Sequence, residues 1–197
     1  GGGPIKVGVA IADINSGMFA AYGILLALYH RERTGEGQMV ETSLFETMIA
    51  QLTFQAGRYF ATGIAPQPEG NRHPLIAPYE SFACSDGYIN IAAANDNLFA
   101  RTCEAIGLTD LPKDSRFQNN GLRVKNRESL IPIMEARTKT FKLKDLQKKL
   151  DDVGVPNGPI WSLDQTLTSE QAYALEMVKE IDHLTCGKIK VTGVPVK

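Results

Sequence analysis

Between Asp13 and Gly37 the chain reads "DINSGMFAAYGILLALYHRERTGEG", a stretch that is apolar on nearly every side until it turns basic at His30, Arg31 and Arg33. A capping residue at its start, cations at its end and glycines beyond them predict a long helix with Asp13 at its N-cap and a stop at Gly35–Gly37. A helix apolar all round is expected to be buried all round, between layers or between subunits. "QMVETSL" (38–44) then alternates like a short strand. "LFETMIAQLTFQAGRYFATG" has the spacing of an amphipathic helix from Leu44 to about Ala61.

The prolines and glycine of "IAPQPEG" (64–70) punctuate the chain. Two strand-like runs follow, "YESFAC" and "YINIAAA", joined by Ser85-Asp86-Gly87 in the manner of a tight hairpin. Helical patterns come next at "NLFARTCEAIGL", Asn126–Arg137 and Lys142–Val153, with "GVPNGPI" (154–160) leaving the last one as extended chain. The tail alternates through "KIKV" and reads as a second hairpin. Helices and short strands mixed in this way, without an internal repeat, predict an α/β class with a mixed α+β arrangement. The punctuation at 64–70 suggests a first domain boundary.

Charge narrows the possible partners. The 21 basic and 22 acidic residues of this 197-residue chain are interspersed, and no basic stripe could neutralise a nucleic-acid backbone. No nucleic-acid partner is expected, and any anion site must be local. Cys84, Cys103 and Cys186 lie far apart without metal-ligand spacing, so they read as reduced thiols of an intracellular protein, with the cytoplasm as the default compartment. Apolar runs are read as falling short of the roughly 18 residues a membrane span needs, so no membrane partner is expected. Gly1–Gly3 read as a flexible loop. A start on glycines, without Met, is what an excerpt from a longer chain would show.

Searched for chemistry, the chain lacks phosphate-loop, GxSxG, HExxH and EF-hand patterns. One turn stands out, "GNRHP", where Asn71, Arg72 and His73 sit between a glycine and a proline. An amide, a guanidinium and an imidazole so placed suit an anionic or carbonyl group, while a purely structural turn with Arg72 paired to a carboxylate is the competing reading. Glu41 and Glu80 fall in strand-like runs, where outward-facing charge is expected. Residue types alone assemble no complete catalytic set.

Four blocks together resemble one family, the class III coenzyme A transferases, which also holds formyl-CoA transferase, carnitine CoA-transferase-like proteins and α-methylacyl-CoA racemases. They are "VGVAIADINSGMFAAYGILLALYHRERTGEGQMVETSLFE", "GNRHPLIAPYESFACSDGYINIAAANDNLF", "DSRFQNNGLRVKNRESL" and "GVPNGPIWSLDQTL". The resemblance implies movement of CoA between small carboxylic acids through an aspartyl-CoA intermediate, the acyl-CoA thioester being a substrate and no cofactor being required. The attacking aspartate is expected upstream of residue 1, Asp13 is not its counterpart, and these residues alone are expected to be inactive. Residues 1–63 would lead from a large domain, 64–163 would form a smaller domain and 164–197 would return toward the large one, all within an interlocked homodimer.

The resemblance also assigns places near substrate. Gly70–Pro78 matches a loop that closes over the reacting thioester, which brings Asn71, Arg72 and His73 toward an acceptor carboxylate, a group Arg72 could hold through both oxygens. Met18 matches a position near the reacting centre, with core packing as the alternative. Racemases place a glutamate near Asn95, and an amide there favours transfer over racemisation. The rival readings are the racemase branch and a non-catalytic binding domain.

Overall fold

The computed structural model describes residues 5–197, so the loop expected at Gly1–Gly3 lies outside the described residues. Two compact units divide it, Gly1–Pro68 and Glu69–Lys197.

In the first unit the expected long helix is present as α1 (Ile11–Thr34). Its cap differs from expectation: Ala10 takes the N-cap position, and Asp13 lies inside the first turn, where its charge still favours the positive end of the dipole. Gly35 closes it in the left-handed conformation (φ 78°), its N–H returning to Arg31 O at 2.8 Å. Burial differs more. Within this chain only Asn15 of α1 is buried, and Leu25, Leu26 and Tyr29 are each more than 60% exposed. The length and composition of α1 are those of a membrane-crossing helix, which corrects the expectation that no run approaches that length.

Among the described residues, 38–43 pair with no strand. Val40 instead packs across Gly23 of α1, where a Cβ would stand 2.6 Å from the valine methyl. Alternation without a neighbouring ladder does not make a strand. The single helix expected from Leu44 is two, α2 (Leu44–Ala50) and α3 (Thr53–Thr62), broken where Thr53 adopts φ 44°. Ser43 caps α2 through Glu46 N, and Thr47 hydrogen-bonds Ser16 of α1 at 2.8 Å.

The second unit is built on a three-stranded antiparallel sheet, β1 (Tyr79–Ala83), β2 (Tyr88–Ala92) and β3 (Asn157–Pro159), in the order β1-β2-β3. The hairpin register pairs Tyr79 with Ala92 and Ser81 with Asn90. On one face Phe82, Ile89 and Ile91 are fully buried against α4 (Asp96–Ala105), α6 (Arg127–Thr138) and α7 (Leu143–Asp152). Phe99 and Cys103, Leu130 and Met134, and Leu146 and Leu150 are the inward pairs of those helices, spaced at the three- or four-residue interval that puts both members on one side. A short helix α5 (Asn120–Lys125), capped by Asn119, precedes α6 with only Asn126 between them.

Two short helices that periodicity did not reveal, α8 (Leu163–Leu167) and α9 (Glu170–Ala174), lead to the second hairpin, β4 (Val178–His183) and β5 (Gly187–Thr192). At its far end Gly193 N donates to Met177 O at 2.9 Å, and a Cβ on Gly193 would lie 2.1 Å from Glu176 O, so only glycine permits this approach.

Candidate functional site

The segment Gly70–Pro78 crosses one end of the second unit's sheet. Asn71 and His73 belong to the sheet face opposite the core. Asn71 Nδ2 donates to Ser81 Oγ at 3.0 Å, and the His73 ring stacks on Tyr79 with centroids 5.3 Å apart and planes 6° from parallel. Tyr79 and Ser81 alternate with the inward Phe82, so both lie on the outer face. Across the register, Ser81 faces Asn90 and Asn90 faces Gly158, which extends the polar row over all three strands. Asn90 Oδ1 is withdrawn from solvent without a hydrogen-bond partner among the described residues.

Arg72 takes a different direction. Its Nε lies 3.2 Å from Glu69 Oε2 and its Nη1 lies 3.1 Å from Glu128 Oε1 on α6. These two carboxylates hold its pKa above the usual guanidinium value, the hydrogen bond to Glu128 being the largest cause. The turn thus separates Arg72 from the outer-face pair Asn71 and His73. In this state the structural pairing weighed for Arg72 is the one observed.

Asn95 caps α4, its Oδ1 accepting from Leu98 N at 2.8 Å, which leaves Nδ2 as the group available to a ligand. Met18 stands in the other unit, on α1, 44% exposed. The neighbouring Asp96 is tied to the loop through Arg123, whose Nη2 is 2.8 Å from Asp96 Oδ1, an ion contact without hydrogen-bond alignment.

The residues that shape this loop were assigned no role from the sequence. Asn120 accepts from Ala77 N at 3.1 Å and donates to Leu75 O at 2.9 Å. Arg123, fully buried, donates from Nε to Ala77 O at 2.7 Å and from Nη1 to Phe117 O at 3.1 Å, with its guanidinium over the Phe99 ring. Arg127 donates from Nη2 to His73 O at 2.7 Å and also to Ile76 O. Three side chains on one side of α5 and α6 therefore hold four of the loop's backbone carbonyls. A signal for them was present: positions 120, 123, 127, 130 and 134 keep the 3-4-3-4 spacing of the buried stripe that Leu130 and Met134 occupy.

Glu80, expected to face outward, instead points toward α6 from the core side of β1, its side chain 12% exposed and Oε1 3.7 Å from Arg127 Nε. Burial pushes its carboxyl above the usual range, opposed by the charge of Arg127. Burial likewise pushes the Cys103 thiol up to about 12, so it stays protonated and inert. Among the described residues no group of three or more acidic, cysteine or histidine side chains could hold a metal ion.

Polar groups supplied by a rigidly held loop next to a sheet face suit binding of a small anionic or carbonyl compound. Comparison with known proteins gives the family. The model of CoA-transferase family III matches residues 1–197, and the chain belongs to that family. It is 35% identical over 196 residues to succinyl-CoA:glutarate CoA-transferase of Mus musculus, covering 100% of this chain and 45% of that protein. Succinyl-CoA:mesaconate CoA-transferase of Haloarcula hispanica is 34% identical over 197 residues, 100% of this chain and 49% of the relative. The crystal structure of a CaiB/BaiF family protein from Brucella suis superposes with a TM-score of 0.78 at 40% identity, over 98% of this chain and 50% of that one. The chain thus spans about half the length of the relatives it matches.

Proposed function

We propose that these residues are part of an enzyme that moves coenzyme A between small carboxylic acids through an aspartyl-CoA thioester, with the attacking aspartate carried by a part of the enzyme outside these residues. The observation that carries the reading is the family match over residues 1–197, with relatives above 30% identity named for CoA transfer to or from dicarboxylic acids. In this reading the second unit contributes the wall facing the acceptor acid, with Asn71 and His73 directed at its carboxylate, Arg72 reaching it by exchanging Glu128 for substrate, and Asn95 Nδ2 and Met18 near the reacting thioester. Glu128, 89% exposed, is a partner that Arg72 can release at little cost. The loop's part is to exclude water from an anhydride or thioester that would otherwise hydrolyse. Acyl-CoA and acid are the substrates, no further cofactor takes part, the assembly is an interlocked homodimer, the compartment is the cytoplasm, and residues 1–197 alone do not turn over.

The test uses the complete enzyme with succinyl-CoA and a panel of acceptors, glutarate, mesaconate and oxalate, following the acyl-CoA products by mass spectrometry. Transfer to at least one acid is expected, together with an aspartyl-CoA thioester that borohydride reduces to an alcohol side chain with release of free CoA. Exchange of an α-proton in a 2-methylacyl-CoA without transfer would replace this reading with the racemase one. Absence of both activities would leave a binding domain.

A further inference from the structure

Arg127 is 7% exposed, and a guanidinium so far from water is expected to face a carboxylate through two short parallel bonds. It does not. Glu80 Oε1 lies 3.7 Å from Nε, and both atoms are buried without a hydrogen-bond partner among the described residues, while Nη2 donates to two loop carbonyls, His73 O and Ile76 O. The side chain is therefore oriented by the loop, with the carboxylate as a distant counter-charge. Its two acceptors stand three residues apart and bracket the turn His73–Ile76. His73 is held at several points: ring on Tyr79, N–H to Tyr79 O at 2.8 Å, and carbonyl on Arg127.

We infer that Arg127 is a positioning residue for the acceptor acid. By fixing the carbonyls of His73 and Ile76 it sets the direction in which Asn71 and His73 present their side chains, and so it governs selection of the acceptor rather than use of the CoA donor. The inference rests on the proposed function. Glu80 on β1 lies within ion-pair distance of Arg127, His73 lies against it through its backbone carbonyl, and the charges that act on Glu80 besides Arg127 are Arg72 on the loop and Glu128 and Glu135 on α6.

The experiment compares the complete enzyme with its Arg127→Gln, Arg127→Lys and Glu80→Gln variants, varying acceptor and donor separately. In Arg127→Gln the acceptor KM is expected to rise about tenfold with the donor KM within about twofold, a split that general destabilisation does not produce. Arg127→Lys, which keeps the charge but not the planar fork, should recover part of the loss. Glu80→Gln should leave the acceptor KM within about twofold, because it removes the counter-charge and keeps the carbonyl bonds. Equal rises in both KM values, or a Glu80→Gln effect as large as that of Arg127→Gln, would overturn the inference.

Amide hydrogen exchange on the same proteins reads the loop without any turnover. Peptides spanning 70–79 should exchange at least about tenfold faster in Arg127→Gln while those of α7 do not change, and an unchanged loop would overturn the inference whatever the kinetics. If Arg127→Gln fails to fold, Arg127→Lys is judged by the same two readouts. Absence of transfer by the unaltered enzyme would count against the proposed function, while the exchange result still decides whether Arg127 holds the loop.

Discussion

Arg123 is accommodated in the interior because each arm of the guanidinium meets an oxygen: Ala77 O, Phe117 O and the carboxylate of Asp96. Its plane also lies 4.5 Å from the Phe99 ring centroid, so it packs as an aromatic neighbour would. Removing one partner of such an arrangement leaves the others buried and unpaired. Arg123→Met, close in volume but without donors, is expected to lower stability by about 3–5 kcal/mol in urea unfolding. A loss under about 1 kcal/mol would mean that the loop carbonyls find other donors. Read as a string, "GLRVKNRES" looks like an exposed polar helix, since basic residues are usually solvated. Only its phase relative to Leu130 and Met134 marks Arg123 and Arg127 as inward, and which oxygens meet them depends on a loop some 46 to 54 positions away. By contrast Asn71, Arg72 and His73 were identifiable as candidates from their turn context, although nothing local revealed that Arg72 would separate from its two neighbours.

At the level of elements, local signals sufficed wherever the element makes its own contacts. The β1–β2 hairpin, α4, α7 and the β4–β5 hairpin all stand within a few residues of where alternation or helical spacing puts them. The failures have tertiary causes. Residues 38–43 alternate without a neighbouring strand to bond, and α2 and α3 divide at a residue no glycine or proline marks. Asn95 shows how one side chain answers to two descriptions. The resemblance puts it near substrate, whereas in the fold its oxygen begins α4. Asn95→Ala is expected to lower stability by about 1 kcal/mol through loss of the cap, with Asn95→Asp close to the unaltered protein because aspartate caps equally well. Equilibrium denaturation of the three proteins checks this. An aspartate variant as stable as the parent yet impaired in transfer would place the Nδ2 end of the side chain toward the ligand, because the substitution keeps the capping oxygen and exchanges the neutral donor for a charged acceptor.

On the scale of the whole molecule, α1 poses the question of what covers it. Phe19, Tyr22, Leu25, Leu26 and Tyr29 are all more than a third exposed within this chain, on more than one side of the helix, and a soluble monomer rarely leaves so much contiguous apolar surface in water. Two environments satisfy it: protein from the rest of the enzyme and a second copy, or lipid. Polar residues on the inner side favour protein, since Asn15 is buried and Ser16 is bonded both to Ala12 O and to Thr47 of α2, the pattern of a helix packed against other helices. The interlocked dimer proposed above would supply that cover. Light scattering on the complete enzyme is therefore expected to give twice the mass of one chain, with the protein remaining in the supernatant after ultracentrifugation of lysate. Leu26→Lys, which sets a charge on a residue 68% exposed here, separates the possibilities further. If α1 is covered by protein, the buried charge costs several kcal/mol and the variant loses the dimer or precipitates. If α1 lies open to water in the finished enzyme, the variant is a soluble protein of unchanged mass and the interlocked arrangement is wrong. Sedimentation of the unaltered enzyme with membranes, released by detergent, would assign α1 to lipid instead.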